Sequence, residues 1–303
     1  MRLGAEPTSG SRRQAVAFAV ALLVCLGAGL VGSATPVLET APPMLLLAAL
    51  SSAVAFVTAL AGARLGRRER IPGALTAGLA FALTLPPGTS LLPAVVAMAF
   101  GWLVAREVFG KESRSFVHPA VLAHVFLGLT WPKAMGGGSL WLPAEGVALP
   151  PWQELFLLRP PGGPIGGASA LACLLGGVAL LAVGRVSLRI LVGVPVGMAG
   201  AMALLQLAGT TGPQLPLSTH LLLGGVAFGV TFLATDPRSS PGSNGGRWAH
   251  GLMVGFLIIL LRLANPASPD GTMAAILVAS IFAPLADVVA RATRRAPKGA
   301  RDV

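Results

Sequence analysis

The chain has 303 residues, of which 54% are apolar and 11% charged, with 22 Lys and Arg against 11 Asp and Glu. Soluble domains carry about a quarter charged residues, so an ordinary soluble domain is excluded. The 39 Gly and 25 Pro fall inside apolar stretches, which excludes a disordered or collagen-like chain and fits a polytopic membrane protein.

Residues 1–13 form a polar tail that ends in Ser11-Arg12-Arg13. The apolar run at 14–33 has a twin-arginine flavour, but about 20 apolar residues is long for a signal core and predicts an uncleaved first spanning helix. Nine further apolar segments follow, at about 42–63, 71–86, 90–107, 118–135, 167–184, 187–208, 218–235, 248–264 and 271–290. The segment at 71–86 is short and stops at Pro86-Pro87, and that at 118–135 opens on His118-Pro119. These two are the candidates for broken or re-entrant helices. With the N-terminus inside, 19 of the 22 basic residues fall in inside segments, and only Lys133, Arg159 and Arg262 fall outside. That asymmetry follows the positive-inside rule.

The sequence therefore predicts an all-α polytopic membrane protein of ten transmembrane helices with both termini cytoplasmic. A tail at 1–13 leads into a single transmembrane domain at 14–290, followed by a basic tail at 291–303. An outside loop at about 136–166 separates five helices (about 14–135) from five more (about 167–290). The basic residues sit in short loops rather than in one patch, so no nucleic-acid partner is expected; the surrounding partner is lipid.

Gly78-Leu79-Ala80-Phe81-Ala82-Leu83-Thr84 and Gly225-Val226-Ala227-Phe228-Gly229-Val230-Thr231 share four of seven residues. His118-Pro119-Ala120 echoes Asn265-Pro266-Ala267. An odd unit of five spans duplicated in tandem must be inverted, so the pattern predicts two inverted five-helix repeats with a site between them.

Chemistry-bearing residues are few. Cys25 and Cys173 cannot supply four thiolates to a cluster and read as small buried residues. Asp236, Glu107 and Asp287 lie near segment ends, where a carboxylate is either functional or a solvated cap. The histidines His118, His124, His220 and His250 show no spacing that argues for haem. No P-loop, nucleophile elbow, HExxH or dinucleotide fingerprint occurs, so no metal or NAD site is expected. Gly162-Gly163-Pro164-Ile165-Gly166-Gly167-Ala168-Ser169 stands at the outside end of the sixth helix. Glycines there let a backbone approach a phosphate, and Ser169 is either a ligand-bearing hydroxyl or simply the helix cap.

Three stretches together resemble one family. Phe232-Leu233-Ala234-Thr235-Asp236-Pro237 is similar to a Met/Leu-Ala-Thr-Asp-Pro signature. Arg262-Leu263-Ala264-Asn265-Pro266-Ala267 through Asp270-Gly271, then Ile281-Phe282-Ala283-Pro284-Leu285-Ala286-Asp287, resembles its last two helices. Ala82-Leu83-Thr84-Leu85-Pro86-Pro87, Arg106-Glu107-Val108-Phe109-Gly110-Lys111 and Pro119-Ala120 resemble its first half. The chain is identified by these motifs as a member of the NqrB/RnfD membrane subunits of sodium-pumping NADH:quinone reductase and of Rnf complexes.

The resemblance implies a ten-helix fold of two inverted five-helix repeats in a bacterial inner membrane. It implies a non-autonomous subunit of an ion-translocating oxidoreductase that holds flavin and passes electrons among membrane and flavin/iron–sulfur partner subunits. Family members carry FMN esterified to the Thr of an Asp-x-x-Ser-Gly-Ala-Thr motif, and the matching stretch here is Gly163 to Ser169. Gly166, Gly167, Ala168 and Ser169 are the implied cofactor residues. The Asp and the first Ser of the motif are Gly here, and the Thr is Ser169. A second, noncovalent flavin is also implied, without a placed site. Asp236, Thr235, Asn265, His118 and Asp287 are the ion-path or structural candidates. The altered motif keeps two alternatives open: a non-redox solute or ion channel on this fold, and a structural subunit that has lost flavin.

Overall fold

Apolar runs of Ala, Leu, Val and Gly must satisfy their own backbone in lipid, and a helix does so within one segment. The computed structural model describes residues 9–31, 37–64, 73–110, 115–135, 151–157, 163–209, 215–264 and 271–295, and among these it holds no strand. In chain order the helices are α1 (Ser9–Val31), α2 (Val37–Arg64), α3 (Ala74–Thr84) and α4 (Leu91–Trp102), which runs on as a π-helix over Leu103–Val108. There follow α5 (Pro119–Thr130), α6 (Trp152–Leu157), α7 (Ala170–Ala182), α8 (Leu188–Leu207) and α9 (Leu217–Leu222). Then come α10 (Val226–Phe228), which runs on as a π-helix over Gly229–Ala234, and α11 (Asn244–Ala264), α12 (Gly271–Ile281) and α13 (Ala283–Arg295).

Among the described residues, five stretches are long and apolar enough to cross a membrane: Arg13–Val31, Pro43–Ala61, Leu91–Val108, Leu188–Leu207 and Asn244–Ala264. The pair α12 and α13, bent by 49°, makes a sixth if it is one broken span. The protein is thus an all-helical, multi-pass membrane protein. The two segments expected to be broken, at 71–86 and 118–135, are the continuous helices α3 and α5, of 11 and 12 residues. At 1.5 Å per residue each covers about 17 Å, short of the roughly 30 Å of a hydrocarbon core. The segment at 218–235, expected to be one helix, breaks at Leu223–Gly225 instead, where Gly224 and Gly225 hold φ of 67° and 68°. Only glycine enters that left-handed region without a Cβ clash. The segment at 271–290 is likewise divided, bending at Phe282.

Helices in lipid gain little from burying apolar surface against one another and pack through small residues instead. The crossing of α8 and α11 shows this. Gly193 and Gly197 on α8 meet Gly251 and Gly255 on α11, a Gly-x-x-x-Gly pair on each side. A Cβ on Gly197 would collide with the Leu252 carbonyl, and one on Gly255 with the Val194 carbonyl. Elsewhere α1 packs along α7, α2 along α3, and α5 lies between α4, α3 and α12.

Candidate functional site

The residues Pro164 to Ser169 form a tight turn into the N-terminus of α7. Ile165, Gly166 and Gly167 make one turn of 3-10 helix, tied to the end of α3 by Ile165 N–H donating to the Leu85 carbonyl at 3.0 Å. A Cβ on Gly166 would lie 2.7 Å from Phe228 Cδ2 and 3.0 Å from Leu83 Cβ. A Cβ on Gly167 would lie 3.1 Å from Gly225 Cα, and Pro164 sits 2.8 Å from the corresponding position on Gly225. The turn is therefore wedged between α3 and the break that separates α9 from α10. The faces of Gly166 and Gly167 that lack a side chain are covered by the protein's own atoms.

Ser169 ends the turn with extended backbone, and its Oγ accepts from Ala172 N–H at 3.1 Å. It is a buried N-cap on the positive end of the α7 dipole.

The break itself is held by α11 and α12. Arg262, 1% exposed, donates to the carbonyls of His220 and Leu223, each at 2.9 Å, and meets His220 Nδ1 at 3.1 Å. Thr272 Oγ1 donates to the Gly224 carbonyl at 3.1 Å. A helix end leaves carbonyls without intrahelical partners, and these two side chains satisfy one at the end of α9 and two in the break that follows.

The opposite end of α7 carries charge. Gly184, at φ 70°, lets Arg185 N–H reach the Leu180 carbonyl at 2.9 Å while its own N–H reaches Leu181 at 3.0 Å. This Schellman ending turns Arg185 inward, where its guanidinium lies 3.4 Å from Asp236 Oδ1 and 4.3 Å from the centre of the Phe18 ring. Asp236 follows the second π-helix, and its carbonyl accepts from Ser239 and Ser240 N–H. Arg106 comes from the first π-helix, over the Trp102 ring. His118 caps α5, its Nδ1 accepting from Ala120 N–H at 3.2 Å.

Ser115 ties the two halves of this cluster. Its Oγ donates to the Ala105 carbonyl at 2.6 Å, and its N–H donates to the Arg238 carbonyl at 3.2 Å. Burial works against ionisation of Asp236. His118 when protonated and the guanidinium groups of Arg185, Arg106 and Arg238 outweigh it, and hold the carboxyl below its ordinary range. Asp236 Oδ2 has no hydrogen-bond partner among the described residues. Both π-helices end at this cluster, as π-turns often do at functional sites.

Of the residues singled out in the sequence, Asp236 and His118 come together, although one belongs to each half of the chain. Thr235 adjoins them, its Oγ1 donating to the Thr231 carbonyl at 2.6 Å. Asp287 has a different task. It accepts from Gly242 N–H, Ser243 N–H and Ser243 Oγ at 2.9, 2.8 and 2.6 Å, fixing the turn before α11. A cavity of about 230 Å³ lies beside it, lined by Phe109, Ser115, Phe116, Arg238, Ser240 and Asp287 among others. Asn265 lies outside the described residues. Arg185 and Arg238 were legible only as basic residues of inside loops, and Arg106 also as the start of a motif in the first half. The one local signal was Gly184 before Arg185, a helix-ending pair.

The chain matches the NQR2, RnfD, RnfE family over residues 7–295. It is 37% identical over 263 residues to the NqrB subunit of the Na(+)-translocating NADH-quinone reductase of Klebsiella pneumoniae, covering 77% of this chain and 63% of that protein. The NqrB subunits of Ectopseudomonas mendocina and Azotobacter vinelandii are 36% and 35% identical, over 74% and 73% of this chain and 61% and 60% of their own length. The chain thus spans less than two thirds of the length of these curated relatives.

Proposed function

The chain belongs to the NQR2, RnfD, RnfE family, and from that premise we propose that it is an integral membrane subunit of an Rnf- or Nqr-type redox complex. In this reading it has ten spans in two inverted repeats, lies in a bacterial inner membrane with both ends cytoplasmic, and holds flavin. It passes electrons among flavin and iron–sulfur partner subunits and helps couple that transfer to cation movement. The observation that carries the reading is the position of Ser169, a hydroxyl held at the positive end of α7 and wedged between α3 and the broken segment.

A hydroxyl at the N-terminus of a 13-residue helix suits a phosphoester. Ser169 Oγ would carry the phosphate of FMN, and the terminus of α7 would offset its charge. Bound there, the flavin would supply one- and two-electron transfer, while the protein orients it. Gly166 and Gly167 then serve to seat the turn, and Ala168 keeps it narrow. At the far end of α7, Asp236 is the proposed cation-meeting carboxylate, since Oδ2 has spare acceptor capacity. Thr235 and His118 are its proposed neighbours on the path, with Asp287 holding the adjoining turn; Asn265 is a further proposed ion-path residue.

A second reading is a structural subunit without covalent flavin. It is favoured by the Ser169 hydroxyl being already engaged as a buried cap and by the covered glycine faces. Co-expression with a flavin transferase separates the two. A denaturing gel under ultraviolet light should show a fluorescent band for the wild type and none for Ser169→Ala. A dark wild-type band, with the transferase active on another target, rejects the ester and leaves the noncovalent, structural and channel readings.

A further inference from the structure

The chain has two cysteines, far apart in sequence, and the fold brings them together. Cys25 lies in α1 and Cys173 in α7; both are fully buried and free, and they sit on the facing sides of two helices that pack along each other. The neighbouring rungs fix the same register. Ala21 Cβ lies 3.3 Å from the position a Cβ would take on Gly176, and Gly29 leaves its space to Ile165. Ala21 against Gly176, Cys25 against Cys173 and Gly29 against Ile165 are successive steps along one face of α1, four residues apart, as helix-face neighbours must be.

The Cys173 thiol also donates to the Gly166 carbonyl at 3.3 Å, within the turn that leads to Ser169. A buried side chain touches roughly six to twelve others, so two cysteines placed at random in a chain this long would meet in about one arrangement in thirty.

We propose that Cys25 and Cys173 are a closable thiol pair, a disulfide site that staples α1 to α7 beside the Gly166 turn. Closure goes by exchange with a small-molecule disulfide. One cysteine, as thiolate, attacks the reagent and forms a mixed disulfide, releasing half of the reagent as a thiol. The second cysteine attacks the mixed disulfide, forms the Cys25–Cys173 bond and releases the other half. The protein loses two electrons, the reagent disulfide gains them, and the two cysteine protons end on the released thiols. In the open state packing alone holds α1 against the turn; in the closed state a covalent bond does. The reagent must be small and apolar, because burial shields thiols from bulky partners.

The test uses the full chain in its own membranes, treated with 4,4′-dithiodipyridine, quenched in acid and then denatured. Intact mass and released thiopyridone are both measured. The wild type should release two thiopyridones, retain no pyridylthio group and lose two hydrogens. Cys25→Ser and Cys173→Ser should each release one and retain one pyridylthio group. Two retained pyridylthio groups on the wild type, or two thiols still titratable after treatment of the native membranes, overturns the proposal. The wild-type mass decides the matter even if a serine variant fails to fold. The result is independent of flavin at Ser169.

Discussion

The two ends of α7 lie about 20 Å apart, at 1.5 Å for each of 13 residues, and are built from opposite materials. The Ser169 end is made of glycine, alanine and one hydroxyl, and it is held by steric fit. The Asp236 end is made of one carboxylate, one histidine and three guanidinium groups, and it is held by charge. At the first end an added methyl is the costly change, and at the second a removed charge is. The same helix therefore joins a region that tolerates no volume to one that tolerates no loss of balance.

The largest expected effect is at the charged end. Asp236→Ala removes the buried counter-charge of the partly exposed Arg185 and should cost about 3 kcal/mol, the low end for a broken buried pair, read as a lower unfolding midpoint in detergent. The carboxyl ionises below its ordinary value of 3.8. Its contribution is therefore complete above that pH and lost as the pH falls through the lowered value. Asp236→Asn should flatten that acid limb, while Ser169→Ala leaves it in place; equal acid limbs in the two variants would erase the contrast.

Next comes the steric end. Gly166→Val drives a side chain into Phe228 and Leu83 and should cost about 1–3 kcal/mol, with no change in pH dependence. Gly184→Ala meets no atoms within 4 Å, so its cost of about 1 kcal/mol is backbone strain alone. That variant should also weaken the Arg185–Asp236 contact, which a double-mutant cycle with Asp236→Asn would measure as coupling. Ser169→Ala should cost about 1 kcal/mol through the lost cap, and Ser169→Thr close to nothing. Unfolding curves of the two variants side by side separate the cap from any effect of flavin.

Much of this architecture is legible in the sequence. Hydropathy locates the apolar segments, and the hydroxyl at position 169 falls at a helix start, where it caps α7. The sites of interruption are not legible. Proline at 86–87 and 119 marks the segments of α3 and α5 as broken or re-entrant; these prolines lie at or beyond helix ends, so each helix is short and unbroken. The break comes at Gly224-Gly225, in a sequence with 39 glycines, most of which serve close packing. Nothing local separates a glycine that turns the chain from one that admits a neighbour.

The sequence by itself determined that this is a helical membrane chain and which family it resembles. Hydrophobicity, charge asymmetry and short motifs are properties of consecutive residues. Tertiary structure alone decided which residues meet: Arg185 with Asp236, Arg262 with the carbonyls of a broken helix, Cys25 with Cys173. Each of these meetings joins residues far apart in sequence, and only the packing of whole helices brings them within reach.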